Sequence, residues 1–477
     1  MDNKKLASNF LWRLMERMGA QGVTLIVSLV LARLLEPSVY GIVAYVLVFT
    51  TILQVFVDSG LGTALIQKKN ADDLDFSSVF YFNIIICFSL YALLFLGAPY
   101  ISLFYGIDEL TPIVRVLGLS LLISGIKCVQ QAYVSRYLLF KKFFYATLAG
   151  TVGAAIIGIT MAYMGFGVWA IVAQNLFNQT IDTIILWITV KWRPKKCFSM
   201  RRLKGLFSYG WKLLVARLLS TVYTEIRQLL IGKVYTAADL AFYNRSYEIP
   251  AKIVPNIITS INSVLLPTLS KEQDNLSTIK SIARRANKVA NFVIWPFLVG
   301  LAVCGKALVE VLLTEKWLPC VPYLFIFCAD YALWPTIYVY NNVINSIGRS
   351  DIYLKLQFIQ KGIGMILLFL SIRYGVIWIA LTVPIISIIE LIISASIIRK
   401  LIGYSFTEQL SDVYKPIIFS MIMGAIVWGL SLFELKMVLI LVLQFIIGVI
   451  TYTLLSFIFN RECFMFVKTM IGKLIKK

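Results

Sequence analysis

Apolar residues along this chain do not alternate with polar ones. They run on in continuous stretches of 19 to 27 residues, separated by short polar turns. A helix rising 1.5 Å per residue needs about 20 residues to cross a ~30 Å hydrocarbon core. On that rule the pattern predicts fourteen helical spans, at about 8–34, 40–62, 77–98, 112–134, 143–164, 167–190, 206–232, 249–269, 289–313, 323–346, 355–373, 376–398, 414–432 and 438–459. The runs lack the period-two alternation of a membrane β-barrel. The longest outer connections fall around 98–112 and 233–248. The first run carries Arg13, Glu16 and Arg17 and has no small-residue cleavage site after it, so it reads as a span and not as a signal peptide.

Composition sharpens this picture. Of 477 residues, 59% are apolar and 14% charged, against roughly 45–50% and 25% in soluble domains. So little charge cannot cover a soluble surface. The expected class is all-α: a polytopic membrane protein of about fourteen helices. The net charge of +21 would suggest nucleic acid in a soluble domain. Here the bias is explained by topology, and no nucleic-acid partner is expected. With the N-terminus in the cytoplasm, about 29 basic residues lie in cytoplasmic loops and about 6 in the opposite ones. Both termini are then inside.

Seven basic residues and no acid fill K-W-R-P-K-K-C-F-S-M-R-R-L-K, residues 191–204. This segment reads as a topology-fixing linker, with anionic-lipid binding as the other reading. It divides the chain into a six-helix lobe (residues 1–190), the linker (191–205), a second six-helix lobe (206–400), and two further helices with a basic tail (401–477). The two lobes match weakly at an offset of 200: Arg17 falls on Arg217, Thr24 on Thr224, Arg33 on Lys233 and Gly41 on Ala241. Six spans separate the copies, so the repeat is parallel, related by an axis along the membrane normal.

Several turns carry a resemblance. N-F-L-W-R-L-M-E-R (9–17), L-A-R-L-L-E-P-S-V-Y-G (31–41), D-S-G-L-G-T-A-L-I-Q (58–67), A-F-Y-N-R-S-Y-E-I-P (241–250) and L-L-P-T-L-S (265–270) resemble polysaccharide flippases. These belong to the multidrug/oligosaccharidyl-lipid/polysaccharide exporter superfamily, in the branch of teichuronic- and colanic-acid exporters. The resemblance implies two six-helix lobes, a central cavity and alternating access in a bacterial cytoplasmic membrane. It also implies a polyprenyl-pyrophosphate-linked oligosaccharide as cargo, membrane lipids around it, and a polysaccharide polymerase or glycosyltransferase as candidate partner.

Charges inside spans are functional candidates, because each costs at least ~2.5–3.5 kcal/mol at a helix centre. Arg17 and Arg217 lie near mid-span, where a guanidinium fork suits a pyrophosphate. Arg13, one turn before Arg17, is read as snorkelling to headgroups, and joins the candidate cationic set with Lys127, Arg227 and Lys306. Lys306 and Glu310 are spaced to pair, and Asp58 sits where a helix-end turn is expected. With no histidine in the chain, coupling to sodium or protons would fall to carboxylates, and Asp182, Glu225 and Glu390 lie deepest.

Other chemistry is thin. The seven cysteines form no CxxC pair, and neither a metal site nor a cofactor is expected. G-L-A-V-C-G-K-A (300–307) approaches a Walker A string but ends in Ala307 where Ser or Thr should hold magnesium, and no strand precedes it. Transport rather than catalysis is therefore expected. The competing readings are a drug/cation antiporter of the same superfamily, a flippase for lipid-linked peptidoglycan precursors, and a membrane polymerase or ligase. The last would need a larger outer loop with convergent polar groups.

Overall fold

Backbone amides in lipid have no water to bond, so an apolar run satisfies them internally by coiling. The computed structural model describes the backbone of residues 3–465, except Ser59, Gln273, Asp274, Glu434 and Glu462, together with Thr469. Side chains of residues 3–14, 16–18, 209, 260, 263 and 264 lie outside the description. Among the described residues all regular structure is helical. The order is α1 (Asn3–Leu34), α2 (Pro37–Asp58), a short α3 (Leu61–Gln67), α4 (Asp73–Tyr105), α5 (Leu110–Arg136), α6 (Phe140–Tyr163), α7 (Val168–Thr189), α8 (Met200–Val234) and α9 (Ala237–Lys271). Then come α10 (Leu276–Val303), a short α11 (Gly305–Leu313), α12 (Val321–Ser346), α13 (Ser350–Ser371), α14 (Val376–Ile402), α15 (Phe406–Gly429) and α16 (Met437–Phe459).

Among the described residues, ten segments are long and apolar enough to cross a membrane. Helices α7 and α8 are not among them. Their length suffices, but polar residues interrupt the apolar run. Helix α8 carries eight charged residues in 35, and α7 carries Gln174, Asn175, Asn178, Gln179 and Asp182. Many large apolar side chains elsewhere are exposed, Leu96, Leu103, Ile188 and Phe445 among them. They form the surface offered to lipid.

The structure corrects the expected outer connections. Residues 98–112 and 233–248 are almost wholly helical, leaving turns of four and two residues. Gly106 ends α4 with φ 73°, a left-handed value that costs glycine little. Thr236 and Asp239 start α9 by reciprocal capping: the Thr236 amide donates to Asp239 Oδ2 at 3.1 Å, and the Asp239 amide donates to Thr236 Oγ1 at 3.2 Å. The expected span 289–313 is also broken, at the Cys304–Gly305 step, so α11 is a separate nine-residue helix.

The chain divides into two compact units, Met1–Ala241 and Phe242–Lys477. In the first, α6 packs on α1 and α7, α5 on α2, α4 and α7, and α8 on α2, α3 and α4. One core joins Leu65, Phe76, Phe80, Val129 and Trp192 to Leu203 and Leu206 of α8. In the second unit α10 packs on α12 and α15, α14 on α12 and α13, and α16 on α15. A polar clasp holds α15 to α10: Arg284 donates to both oxygens of the buried Asp412, at 2.7 and 2.9 Å, while Tyr404 donates to Asp412 Oδ2 at 2.6 Å.

Candidate functional site

Four groups of charged side chains stand out. The first pair joins α5 to α7. Lys127 Nζ lies 3.0 Å from Asp182 Oδ2, with the side chains 15% and 13% exposed. Gly150 of α6 makes room for this region of α7; a Cβ there would stand 2.9 Å from the Asn178 carbonyl oxygen and 3.3 Å from the Asp182 amide. Asp182 Oδ1 has no hydrogen-bond partner among the described residues. The candidate cation Lys127 and the candidate coupling acid Asp182 therefore occupy each other.

The second pair joins α2 to α8. Arg217 Nη2 lies 3.1 Å from Asp58 Oδ2, and the side chains are 63% and 35% exposed. Arg217 is the middle residue of α8, seventeen positions from either end. Asp58 ends α2, as its place before a glycine turn suggested, and also receives Gln54 Nε2 at 3.4 Å. The two pairs are neighbours through α5: Cys128, next to Lys127, points its Sγ at the Val57 carbonyl at 3.9 Å. Further along α8, Glu225 accepts from Gln228 at 2.8 Å, and the Arg227 guanidinium sits 5.8 Å from the Tyr223 ring centre. The side chains of Arg13 and Arg17 lie outside the described residues.

The third group, in the second unit, holds two buried acids. Glu390 of α14 is 6% exposed and accepts from Gln360 at 2.5 Å and Asn341 at 3.5 Å. Asp330 of α12 is 1% exposed and accepts from the Ser387 hydroxyl at 2.5 Å and the Trp334 indole at 3.2 Å. Ser387 and Glu390 are i,i+3 on α14, so both acids meet one helix face. Asp330 is not among the sequence candidates. Its signal is there to read: it is the only charged residue of Val321–Ser346. Lys306 does not join this group. It is exposed on α11, and no ion pair links it to Glu310.

The fourth group is the basic end of the first unit. Asp75, fully buried, takes Lys68 Nζ at 2.6 Å on both oxygens and faces Arg202 at 3.6 Å. Lys195 pairs with Asp73 at 2.7 Å and Arg202 with Asp72 at 3.4 Å. The Lys195 and Ser199 amides donate to the Ser77 and Ser78 hydroxyls at 3.0 and 2.9 Å. Residues 190–199 are thus strapped across the start of α4. Electrostatics follow the geometry. The Asp75 backbone amide, donating to Asp72, holds that carboxyl below its usual range, and the hydrogen bond to Asp73 raises the Lys195 ammonium above its ordinary value.

Nothing in these groups forms a nucleophile–base arrangement. They are ion pairs and polar contacts on helices that otherwise face lipid. Against known sequences, residues 30–322, more than half of the chain, match the family described as polysaccharide biosynthesis protein. The chain belongs to that family. It is 27% identical over 395 residues to the teichuronic acid biosynthesis protein TuaB of Bacillus subtilis, covering 80% of each chain. Its fold matches the lipid II flippase MurJ in an inward closed conformation, with a TM-score of 0.74, 15% identity, and 97% and 99% of the two chains covered. It also matches an inward-facing multidrug resistance MATE family transporter of the MOP superfamily, with a TM-score of 0.60, 14% identity, and 82% and 98% covered. The fold neighbours are a flippase and a transporter, and this family member is a multi-pass membrane protein.

Proposed function

We propose that this protein is a flippase. It carries a polyprenyl-pyrophosphate-linked oligosaccharide repeat across the bacterial cytoplasmic membrane for surface polysaccharide synthesis. Fourteen spans work by alternating access of two six-helix lobes, with both termini cytoplasmic. The reading rests on one coincidence: a polysaccharide biosynthesis family member with a flippase fold carries a half-exposed arginine at the middle of its most charged long helix. A guanidinium at mid-membrane is costly unless it meets an anion. Asp58 supplies one and orients the fork, and the exposed face of Arg217 is offered to the cargo pyrophosphate, with Arg17 as its partner from α1. Asp330 and Glu390 are the acids placed to couple the cycle to sodium or protons. Asp182, already engaged by Lys127, is a weaker candidate for that role.

The test is chemical. In a strain lacking the protein, mass spectrometry of polyprenyl-linked glycans should show one oligosaccharide repeat accumulating, and the wild-type chain should clear it. Arg217→Ala should lower clearance by roughly tenfold or more, as removal of one member of a charge contact costs ~2–5 kcal/mol. Arg217→Lys should restore only part, and Arg399→Ala should clear normally. An unchanged lipid pool in the deletion strain rejects the flippase reading. Full clearance by Arg217→Ala rejects the role of that residue.

A further inference from the structure

Between the end of α3 and the start of α8 lies a cavity of about 780 Å³. Lys68, Arg201, Arg202, Ser199, Gln67 and Gly205 line it, over an apolar base formed by Ala64 and Leu206. We infer that this cavity is a phosphate-binding pocket that seats the headgroup phosphate of a lipid on the basic face of the membrane. The inference does not rest on the flippase reading, because its readout is lipid binding itself.

Charge is the first argument. Residues 191–204 together with Lys68 and Lys69 hold six more basic than acidic groups, even after Asp72, Asp73 and Asp75 are counted. The aspartates engage Lys68 and Lys195 directly and Arg202 only at longer range. Arg202 stands 3.4 and 3.6 Å from Asp72 and Asp75, beyond the ~2.7–2.9 Å of a charge-assisted hydrogen bond. Its side chain remains 43% exposed toward the cavity rim. Arg201 is exposed and has no ion-pair partner among the described residues. Buried Asp75 fixes Lys68 at the rim, so the pocket is formed before anything enters.

Shape and position are the second argument. Two guanidinium forks and an ammonium, with the Ser199 hydroxyl and Gln67 amide beside them, match the oxygens of a phosphate ester. The volume falls in the range of roughly 300–1,000 Å³ typical of small-molecule sites. The pocket opens where α3 ends and α4 and α8 begin, and helix ends are where headgroups lie. Two sources share this chemistry: an anionic phospholipid of the bilayer, and the pyrophosphate of a prenyl carrier.

Gly205 gives a clean probe. It lies inside α8, and a Cβ built there meets nothing within 4 Å. Gly205→Glu would place a carboxylate in the pocket, and Gly205→Gln would place a neutral group of equal size. The full chain in phosphatidylcholine nanodiscs is titrated with phosphatidylglycerol, and bound lipid is read by native mass spectrometry. Wild type and Gly205→Gln should enrich phosphatidylglycerol. Gly205→Glu should lose about tenfold of that affinity and Arg201→Ala severalfold, with unchanged unfolding temperatures. Millimolar inorganic pyrophosphate should displace the lipid. A farnesyl pyrophosphate probe that outcompetes phosphatidylglycerol at equal concentration assigns the pocket to the carrier. The reverse order assigns it to bilayer lipid. Equal enrichment in wild type, Gly205→Glu and Arg201→Ala, or no displacement by pyrophosphate, overturns the proposal. Should Gly205→Glu fail to fold, Arg201→Ala carries the test alone, because Arg201 ties nothing in the fold.

Discussion

Asp182 and Lys127 show what a buried charge does when its partner is on a neighbouring helix. Each is little exposed, and each neutralises the other. Losing one partner strands the other in a poorly solvated site, a change that typically costs ~3–5 kcal/mol, whereas removing both leaves no stranded charge. Lys127→Met and Asp182→Asn should each lower the unfolding temperature in detergent by several degrees. The double variant should recover most of that loss, which a thermal melt followed by size-exclusion chromatography will show. Losses that simply add would mean the pair is not coupled. The two residues were visible in the sequence as membrane charges, but their sign assigned them to different tasks. Spacing within one helix is legible from sequence. The meeting of α5 with α7 depends on how α5, α6 and α7 pack, and no local pattern states that.

At the level of elements, the contact between α2 and the chain around α8 and α9 is a seam of glycines. A Cβ on Gly41 would lie 1.8 Å from the Ala237 carbonyl oxygen, and one on Gly232 would lie 2.4 Å from the Tyr45 ring. Backbone cannot yield as a flexible side chain does, so Gly41→Ala should destabilise by about 1–3 kcal/mol and Gly41→Leu should abolish folded protein in the membrane fraction. Gly362 of α13 has open space around it. Gly362→Ala should raise the unfolding temperature slightly, since alanine favours helix by up to ~1 kcal/mol. Equal behaviour of the two alanine variants would dismiss the seam. Gly41 stood in the motif that carried the family resemblance, yet its role was not readable, because close approach is a property of two elements. The short α11 was hidden for another reason: the apolar run continues through Cys304, and hydropathy is blind to a break that does not change polarity.

At the scale of the whole molecule, class, family and approximate span positions were legible because hydropathy and basic loops are summed over many residues. Orientation is the testable part. Single cysteines in a cysteine-free background should be labelled from the cytoplasm beside Lys195, and from outside beside Asp108 and Asp239. The asymmetry of about 29 to about 6 basic residues sets this expectation. Outside labelling at Lys195 would invert the topology. Which helices are polar, by contrast, was masked by the same summing: α7 and α8 pass as spans when length alone is counted.

Helix α8 poses a problem for biogenesis. A helix leaving the insertion machinery partitions by its own hydropathy, and α8, with eight charged residues, gains little from lipid. Its contacts in the folded chain are with α2, α3 and α4, all synthesised earlier. When α8 emerges, a finished protein surface is already waiting: the glycine seam at one end, Asp58 at the middle, and Asp72–Asp75 at the other. The order of synthesis is thus the order that lets a poorly inserting helix exchange lipid for protein. A nascent chain whose α2 has been damaged would be expected to lose α8 to the aqueous phase long before any cargo is moved.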